Sequence, residues 1–313
     1  MANISASMVK ELRELTGAGM MDCKKALTET DGDMDAAIEY LRKKGLAGAE
    51  KKAGRIAAEG VVDTLLVNDD KKAVIVEVNA ETDFVAKNEK FRSYVAEVAA
   101  QAVESTAPDI DAFLAEPWKL DTSMTVNEKL SSMISIIGEN MHIRRFKQME
   151  EQNGVIVSYI HAGGKIGVLV DIEAATVNDQ VKEMGKNLAM QIAALSPKFT
   201  ERSEVSAEYL AKEKEILKAQ IMNDPKESQK PEKVIDGMIE GRVNKELKEI
   251  VLLNQVYVKA EDGKQTVDKY IAETAKAVGC DLKVKGFIRF ETGEGLEKKN
   301  EDFAAEVAAQ MNK

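Results

Sequence analysis

The chain opens on helical periodicity. Val9, Leu12 and Leu15 fall on one stripe, with Ser5 or Ser7 placed to cap it, and Thr16-Gly17-Ala18-Gly19 breaks the run. Met20, Cys23 and Leu27 are spaced for a second helix. Thr30-Asp31-Gly32-Asp33 reads as a turn, and Asp33 as the cap of a third helix that carries Ala37, Ile38 and Leu41 and that Gly45 closes. Residues 1–55 thus predict a small three-helix bundle, with Ala47 to Glu59 as a charged helical linker. The period then changes. Val61-Val62 with Leu65-Leu66-Val67, and Val74 to Val78, read as two strands joined at Asn68-Asp69-Asp70, an antiparallel hairpin. A helix follows, with Phe91, Val95, Val98 and Ala102 on one face.

The same order returns. Val155 to His161 and Ile166 to Ile172 predict strands around a Gly163-Gly164 turn, and a helix runs from near Asn178 to Leu195. This is an internal ββα repeat: Val76-Glu77-Val78 aligns with Val170-Asp171-Ile172, Asn88 with Asn178, and Thr82 with Thr176. Between the copies, Val126 to Ile137 predicts a helix striped by Leu130, Met133 and Ile137, then Ile143 to Met149 a strand. After the second copy, residues 203–223 and 230–250 predict a charged helical hairpin bent at Asp224-Pro225 through Pro231. Its seam is thin: Leu210, Leu217 and Ile221 on one helix, Ile235, Ile239 and Arg242 with Leu247 on the other. Such a pair either packs on the body or projects as a coiled coil. Strands are expected at Val256-Tyr257-Val258 and Gly286 to Phe290, with a helix over Val267 to Val278 between them. A last helix, capped by Asn300 and striped by Phe303, Val307 and Met311, must dock on its own body or on a partner.

One segment does not fit a scaffold role. Thr82-Asp83-Phe84-Val85 lies in the polar connection between strand and helix, where a large aromatic is either folded into the core or held out for a partner. The repeat separates these options. Five residues lie between Thr82 and Asn88, but only Val177 lies between Thr176 and Asn178, so the first copy carries a surplus of four around Phe84. A scaffold that once does without them predicts that they serve something else, and that Phe84 is exposed.

Composition narrows the function class. The 313 residues carry a net charge of -10, which leaves no electrostatic footprint for non-specific nucleic-acid binding. Lys51-Lys52 with Arg55, and Arg144-Arg145 with Lys147, are the densest basic spots, and each reads as a solvated face. No apolar run suits a bilayer, the N-terminus has no signal-peptide pattern, and Cys23 and Cys280 suggest no disulfide framework, so a reducing cytoplasm is the expected compartment. There is no GxxxxGK[ST], GxSxG or HExxH, and Gly17-Ala18-Gly19 has Asp22 where a dinucleotide fingerprint needs its last Gly. His142 and His161 stand outside any metal-ligand spacing. No catalytic constellation, metal, cofactor or nucleotide site is expected, and the chain reads as a protein that makes or breaks no bond.

Four stretches together resemble bacterial translation elongation factor Ts. They are Val9 to Leu27 with Thr16-Gly17-Ala18-Gly19-Met20-Met21-Asp22-Cys23 inside it, Thr82-Asp83-Phe84-Val85-Ala86-Lys87, Ile137-Gly138-Glu139-Asn140 with Arg144-Arg145, and Gly286-Phe287-Ile288-Arg289-Phe290-Glu291. The resemblance implies an α+β protein. It would have a ubiquitin-associated-like (UBA-like) domain over 1–55 and two related ββα-type core subdomains with antiparallel sheets over 56–150 and 151–295. An antiparallel coiled-coil hairpin would be inserted at 200–250, and a C-terminal helical module would cover 296–313. It implies guanine-nucleotide exchange on elongation factor Tu, whose G domain would be the partner. By the same match Phe84 wedges beside the Mg²⁺ site of that partner, Asp83 is its polar neighbour, and Thr82 and Val85 frame it. Ile137, Gly138, Met20, Met21 and His161 would be further contacts. A structural adaptor that merely holds partners together is the competing reading, and self-pairing through the hairpin to a homodimer stays open.

Overall fold

The computed structural model describes residues 4–297. The expected terminal helix, with Asn300, Phe303, Val307 and Met311, lies outside the described residues.

Helices α1 (Ala6–Thr16), α2 (Met20–Glu29) and α3 (Met34–Glu50) bring their apolar stripes together in a cluster of Leu12, Cys23, Ala26, Leu27 and Ala37. Ser5 and Asp33 cap α1 and α3 by accepting the backbone N–H of Met8 and Ala36. Leu15, expected on the buried stripe, is instead 63% exposed. Gly45 does not close α3. The helix continues to Glu50, and Gly45 is buried inside it against the backbone of Ser131. A Cβ there would meet Ser131 O at 3.7 Å, an ordinary van der Waals contact, so the position lies inside a helix contact without requiring glycine and does not terminate the helix. The expected helical linker shrinks accordingly: turns follow Glu50, and the next strand starts at Glu59.

The body contains two three-stranded antiparallel sheets. Strands β1 (Glu59–Val67) and β2 (Lys72–Ala80) form a hairpin. A single helical turn α4 (Asp83–Ala86), α5 (Glu89–Ala102), α6 (Ile110–Ala115) and the two-stranded β3 (Pro117–Trp118) and β4 (Asp121–Thr125) lead to α7 (Val126–Ile137). Strand β5 (Met141–Glu150) then returns beside β2, giving the order β1-β2-β5. The second sheet repeats this with β6 (Gly154–His161) and β7 (Ile166–Ala174), followed by α8 (Asp179–Leu195), α9 (Ala207–Asn223), α10 (Glu232–Ile250), α11 (Val267–Val278) and β8 (Leu282–Glu291), in the order β6-β7-β8. The repeat therefore reaches further than its hairpin and helix. Each unit gains a third strand, and that strand carries a bulge, at Arg144 in β5 and Lys285 in β8, opposite the aligned positions Glu77/Val78 and Asp171/Ile172 of the middle strands.

Both faces of the middle strands are buried. Val74, Val76 and Val78 of β2 meet Phe91, Val95 and Val98 of α5 in one cluster, while Ala73 and Ile75 meet Ile156, Leu169 and Phe290 in the layer between the sheets. Each fully buried Val or Ile contributes roughly 1.5–3 kcal/mol relative to exposure. Helices α8 and α11 cover the far face of the second sheet through Val181, Met184, Leu188 and Ile271.

The inter-sheet layer overturns one expectation. Arg144 and Arg145 do not form a solvated face. Arg144 Nη1 and Arg145 Nε donate to the two carboxylate oxygens of Glu77, at 3.0 and 2.6 Å, and Glu77 is fully buried. The Gly293 amide also donates to Glu77, and the Arg145 guanidinium lies 4.1 Å from the centre of the Phe290 ring. Two neighbouring cations converge because a bulge inserts Arg144 as an extra residue of β5 opposite Glu77 and Val78, so adjacent residues of β5 reach one acid.

Helices α9 and α10 form a hairpin with a core of its own, in which Ile221 meets Ile235, Ile239, Val243 and Leu247. Val243 holds the seam position expected of Arg242, which turns aside to pair with Glu227 at 2.6 Å. Val256-Tyr257-Val258 is not a strand. A single bridge joins Val256 to Thr266, and Tyr257 stacks on Tyr270 at 4.2 Å. Among the described residues no helix is long and apolar enough to cross a membrane.

Candidate functional site

The surplus segment folds as the helical turn α4. Thr82 caps it: its Oγ1 accepts the N–H of Val85 at 3.3 Å. Val85 and Ala86 are buried in the cluster under α5, which fixes the turn from below. Phe84 points the other way and is 80% exposed, more than any other large apolar side chain among the described residues. An alternation of buried Val85 and exposed Phe84 on one turn follows from helical geometry, since neighbours project about 100° apart. Asp83 pairs with Lys87 at 2.6 Å along the same turn. The Lys87 hydrogen bond holds the Asp83 carboxyl below its usual range, so the turn presents an anion beside an apolar ring.

Other expected residues gather around it. Helix α7 ends at Ile137, and Gly138 follows at φ 89°, a left-handed conformation that closes the helix by donating its N–H to Ile134 O. A Cβ there would be strained. The next residue, Glu139, reaches across to the start of α4. Its carboxylate accepts the Thr82 backbone N–H at 3.0 Å and the Thr82 hydroxyl at 2.7 Å. In return Glu81 accepts the backbone N–H of Asn140 at 2.6 Å. Two loops distant in sequence are thus joined by exchanged carboxylates, and Phe84 and Gly138 belong to one surface. This clasp is not legible from periodicity, although Glu139 stands inside the stretch Ile137-Gly138-Glu139-Asn140.

The turn between α1 and α2 rests on the last turn of α7: a Cβ on Gly17 would come within 3.3 Å of Ile136 Cδ1. Met20 and Met21, 57% and 75% exposed, therefore open α2 beside the end of α7. An open groove of about 370 Å³ lies beside Gly17 between α5 and α7, lined by Glu89, Tyr94, Lys129, Met133 and Ile136. The hairpin turn after β6 closes the other side. Arg92 of α5 donates to Gly163 O at 2.7 Å, and Lys165 lies near enough to Asp83 to help hold its carboxyl down. His161 stands exposed at this turn, with its Nδ1 2.9 Å from the Tyr159 hydroxyl. Phe84, Ile137 with Gly138, Met20 with Met21, and His161 thus come from four separate segments held against one another by the contacts above.

Chemically this face offers apolar side chains, one low-lying carboxylate and a histidine. Among the described residues no group of three or more His, Cys, Asp or Glu side chains is placed to hold a metal ion. The arrangement suits contact with another macromolecule: an exposed ring on a capped turn, with exposed Met20 and Met21 on a segment that packs on the end of α7.

Comparison with known proteins agrees with the four matched stretches. A sequence model of the family described as Elongation factor TS matches residues 81–294. The chain is 53% identical to Elongation factor Ts of Clostridium tetani over 308 residues, covering 98% of this chain and 99% of that one. It is 51% identical to Elongation factor Ts of Clostridium novyi, covering 99% of both chains, and 50% identical to that of Clostridioides difficile, covering 99% and 100%. At that identity over full length, the chain belongs to the elongation factor Ts family and to the elongation step of translation.

Proposed function

We propose that this protein is a guanine-nucleotide exchange factor for elongation factor Tu, working by non-covalent displacement. The observation that carries this reading is Phe84, 80% exposed on a turn whose other apolar residues are buried. An apolar ring held in water gains roughly 1.5–3 kcal/mol on burial in a partner. That gain is available to move whatever the ring enters. In a nucleotide-binding partner, Mg²⁺ and backbone amides neutralise the diphosphate. Phe84 displaces the elements that hold Mg²⁺, Ile137 and Gly138 approach the phosphate side, and Met20, Met21 and His161 extend the contact. Asp83 adds an anion next to the wedge. The protein itself holds no nucleotide, metal or cofactor in this scheme and is not an enzyme in the bond-making sense.

Coupling is reciprocal. If the factor weakens GDP binding, GDP weakens factor binding by the same ratio, so the factor binds the nucleotide-free partner best and incoming GTP expels it. We read the three-helix bundle as UBA-like and the α9–α10 hairpin as a coiled-coil arm. The decisive experiment is release of a fluorescent GDP analogue from elongation factor Tu. Substoichiometric amounts should accelerate release with multiple turnovers. Stoichiometric binding with GDP retained would instead support an adaptor.

A further inference from the structure

We propose that Glu139 is a positioning residue for Phe84: it locks the wedge turn to the end of α7 so that both engage the partner as one rigid unit. Its bearing on exchange rests on the function proposed above, while the locking itself does not.

The geometry is specific. Thr82 is the cap of α4, and both its donors go to Glu139. Its Oγ1 accepts the Val85 N–H at 3.3 Å, while its hydroxyl and backbone N–H donate to Glu139 Oε1 and Oε2 at 2.7 and 3.0 Å. Both oxygens of one carboxylate are thus spent on one residue, a charge-assisted pair of bonds. The reverse link, Asn140 N–H to Glu81 Oε1 at 2.6 Å, makes the joint double. Asn140 is itself buried and donates its side-chain N–H to Arg55 O at 2.8 Å, so the anchor under Glu139 is fixed to the chain before β1.

The joint has mechanical consequences. Helix α4 is a single turn, below the length at which a helix holds itself together in water. Val85 and Ala86 bury one side of it. The Glu139 carboxylate is what ties its N-terminus, the end next to Phe84, to a second element. A wedge transmits force only if its base is stiff. A freely rotating turn would lose ordering entropy on binding and would yield when pushed against the partner. Gly138 precedes Glu139 directly, so the same joint sets where the Ile137-Gly138 contact stands relative to the ring.

The test combines two readouts on Glu139→Ala. Amide hydrogen exchange of the free protein reads the lock directly. Protection of the Thr82 to Lys87 amides should fall about ten-fold while β2 and α5 keep theirs. Accelerated GDP release from elongation factor Tu reads the consequence. The maximal rate should fall about ten-fold, and the loss should largely vanish in a Phe84→Ala background, because both changes act through one ring. Unchanged protection in Glu139→Ala overturns the proposal, as does a rate loss that adds in full to that of Phe84→Ala. If the wild-type protein fails to accelerate release, the proposed function fails, and hydrogen exchange still decides the lock.

Discussion

At the scale of single residues, burial separates those that hold the fold from those that face outwards. Phe84→Ala should leave stability within about 0.5 kcal/mol of the wild type, because an exposed ring leaves no cavity. Phe91→Ala, seven residues on and fully buried, should cost about 3–5 kcal/mol by the same denaturant titration. Glu77→Ala should cost about 1–3 kcal/mol, since it removes the buried acceptor shared by Arg144, Arg145 and the Gly293 amide, while both arginines stay partly exposed and keep contacts with Glu294. Equal stability of Glu77→Ala and wild type would show that the cations find water instead. The exposure of Phe84 was legible in advance, because the second copy of the repeat omits the residues around it. The roles of Glu77 and the two arginines were not. A charge pattern does not say which sheet face will be covered, and here a second sheet covers it.

Elements follow periodicity where one stripe decides, and depart from it where packing between elements decides. The hairpins β1–β2 and β6–β7, the caps Ser5, Asp33, Asn88 and Asn178, and helix α7 follow from local sequence, since each is set by a cap or an alternation. Gly45 misleads for a physical reason: a Gly that ends a helix and a Gly buried in the middle of one look alike in sequence. Tyr257 misleads similarly, because one buried aromatic between two exposed valines shows the alternation of a strand. The α9–α10 hairpin has a separate core and joins the body at a narrow base, where Lys198 and Phe199 donate to Ile250 O at 2.8 and 3.1 Å. Replacing residues 208–248 by a short Gly-Ser linker should therefore leave the thermal transition of the remaining protein within a few degrees of its original position. A large fall would mean that the hairpin supports the sheets.

For the molecule as a whole, the two repeats place an acid at the same bulge, with different outcomes. Glu77 meets two arginines. Asp171 meets another acid, Glu151, with Lys285 and Glu173 close by. Burial and the Glu151 carboxylate push Asp171 up to about 7. Burial also works against the charge on Glu151, but hydrogen bonds with Asp171, Lys285 and the Asn153 amide hold its carboxyl well below the usual range. An acid with a higher folded than unfolded pKa carries a native proton that the unfolded chain has lost. Its contribution favours the fold below about 7 and is withdrawn as pH rises through 7. Unfolding titrations at about pH 6 and about pH 8 should show that loss in the wild type and not in Asp171→Asn. A common slope in both proteins would remove Asp171 as its source. Glu151 lies between β5 and β6, so this acid pair joins the middle strand of the second sheet to the chain segment that leads into it from the first. The central claim remains that an exposed ring on a locked turn opens a partner's nucleotide site. It is tested most directly by GDP release from elongation factor Tu, measured side by side with wild type and Phe84→Ala at equal, catalytic concentration. Fast, multiple-turnover release is expected with wild type, and a rate at least about ten-fold slower with a variant that unfolds at the same temperature. Equal rates for the two proteins would contradict it.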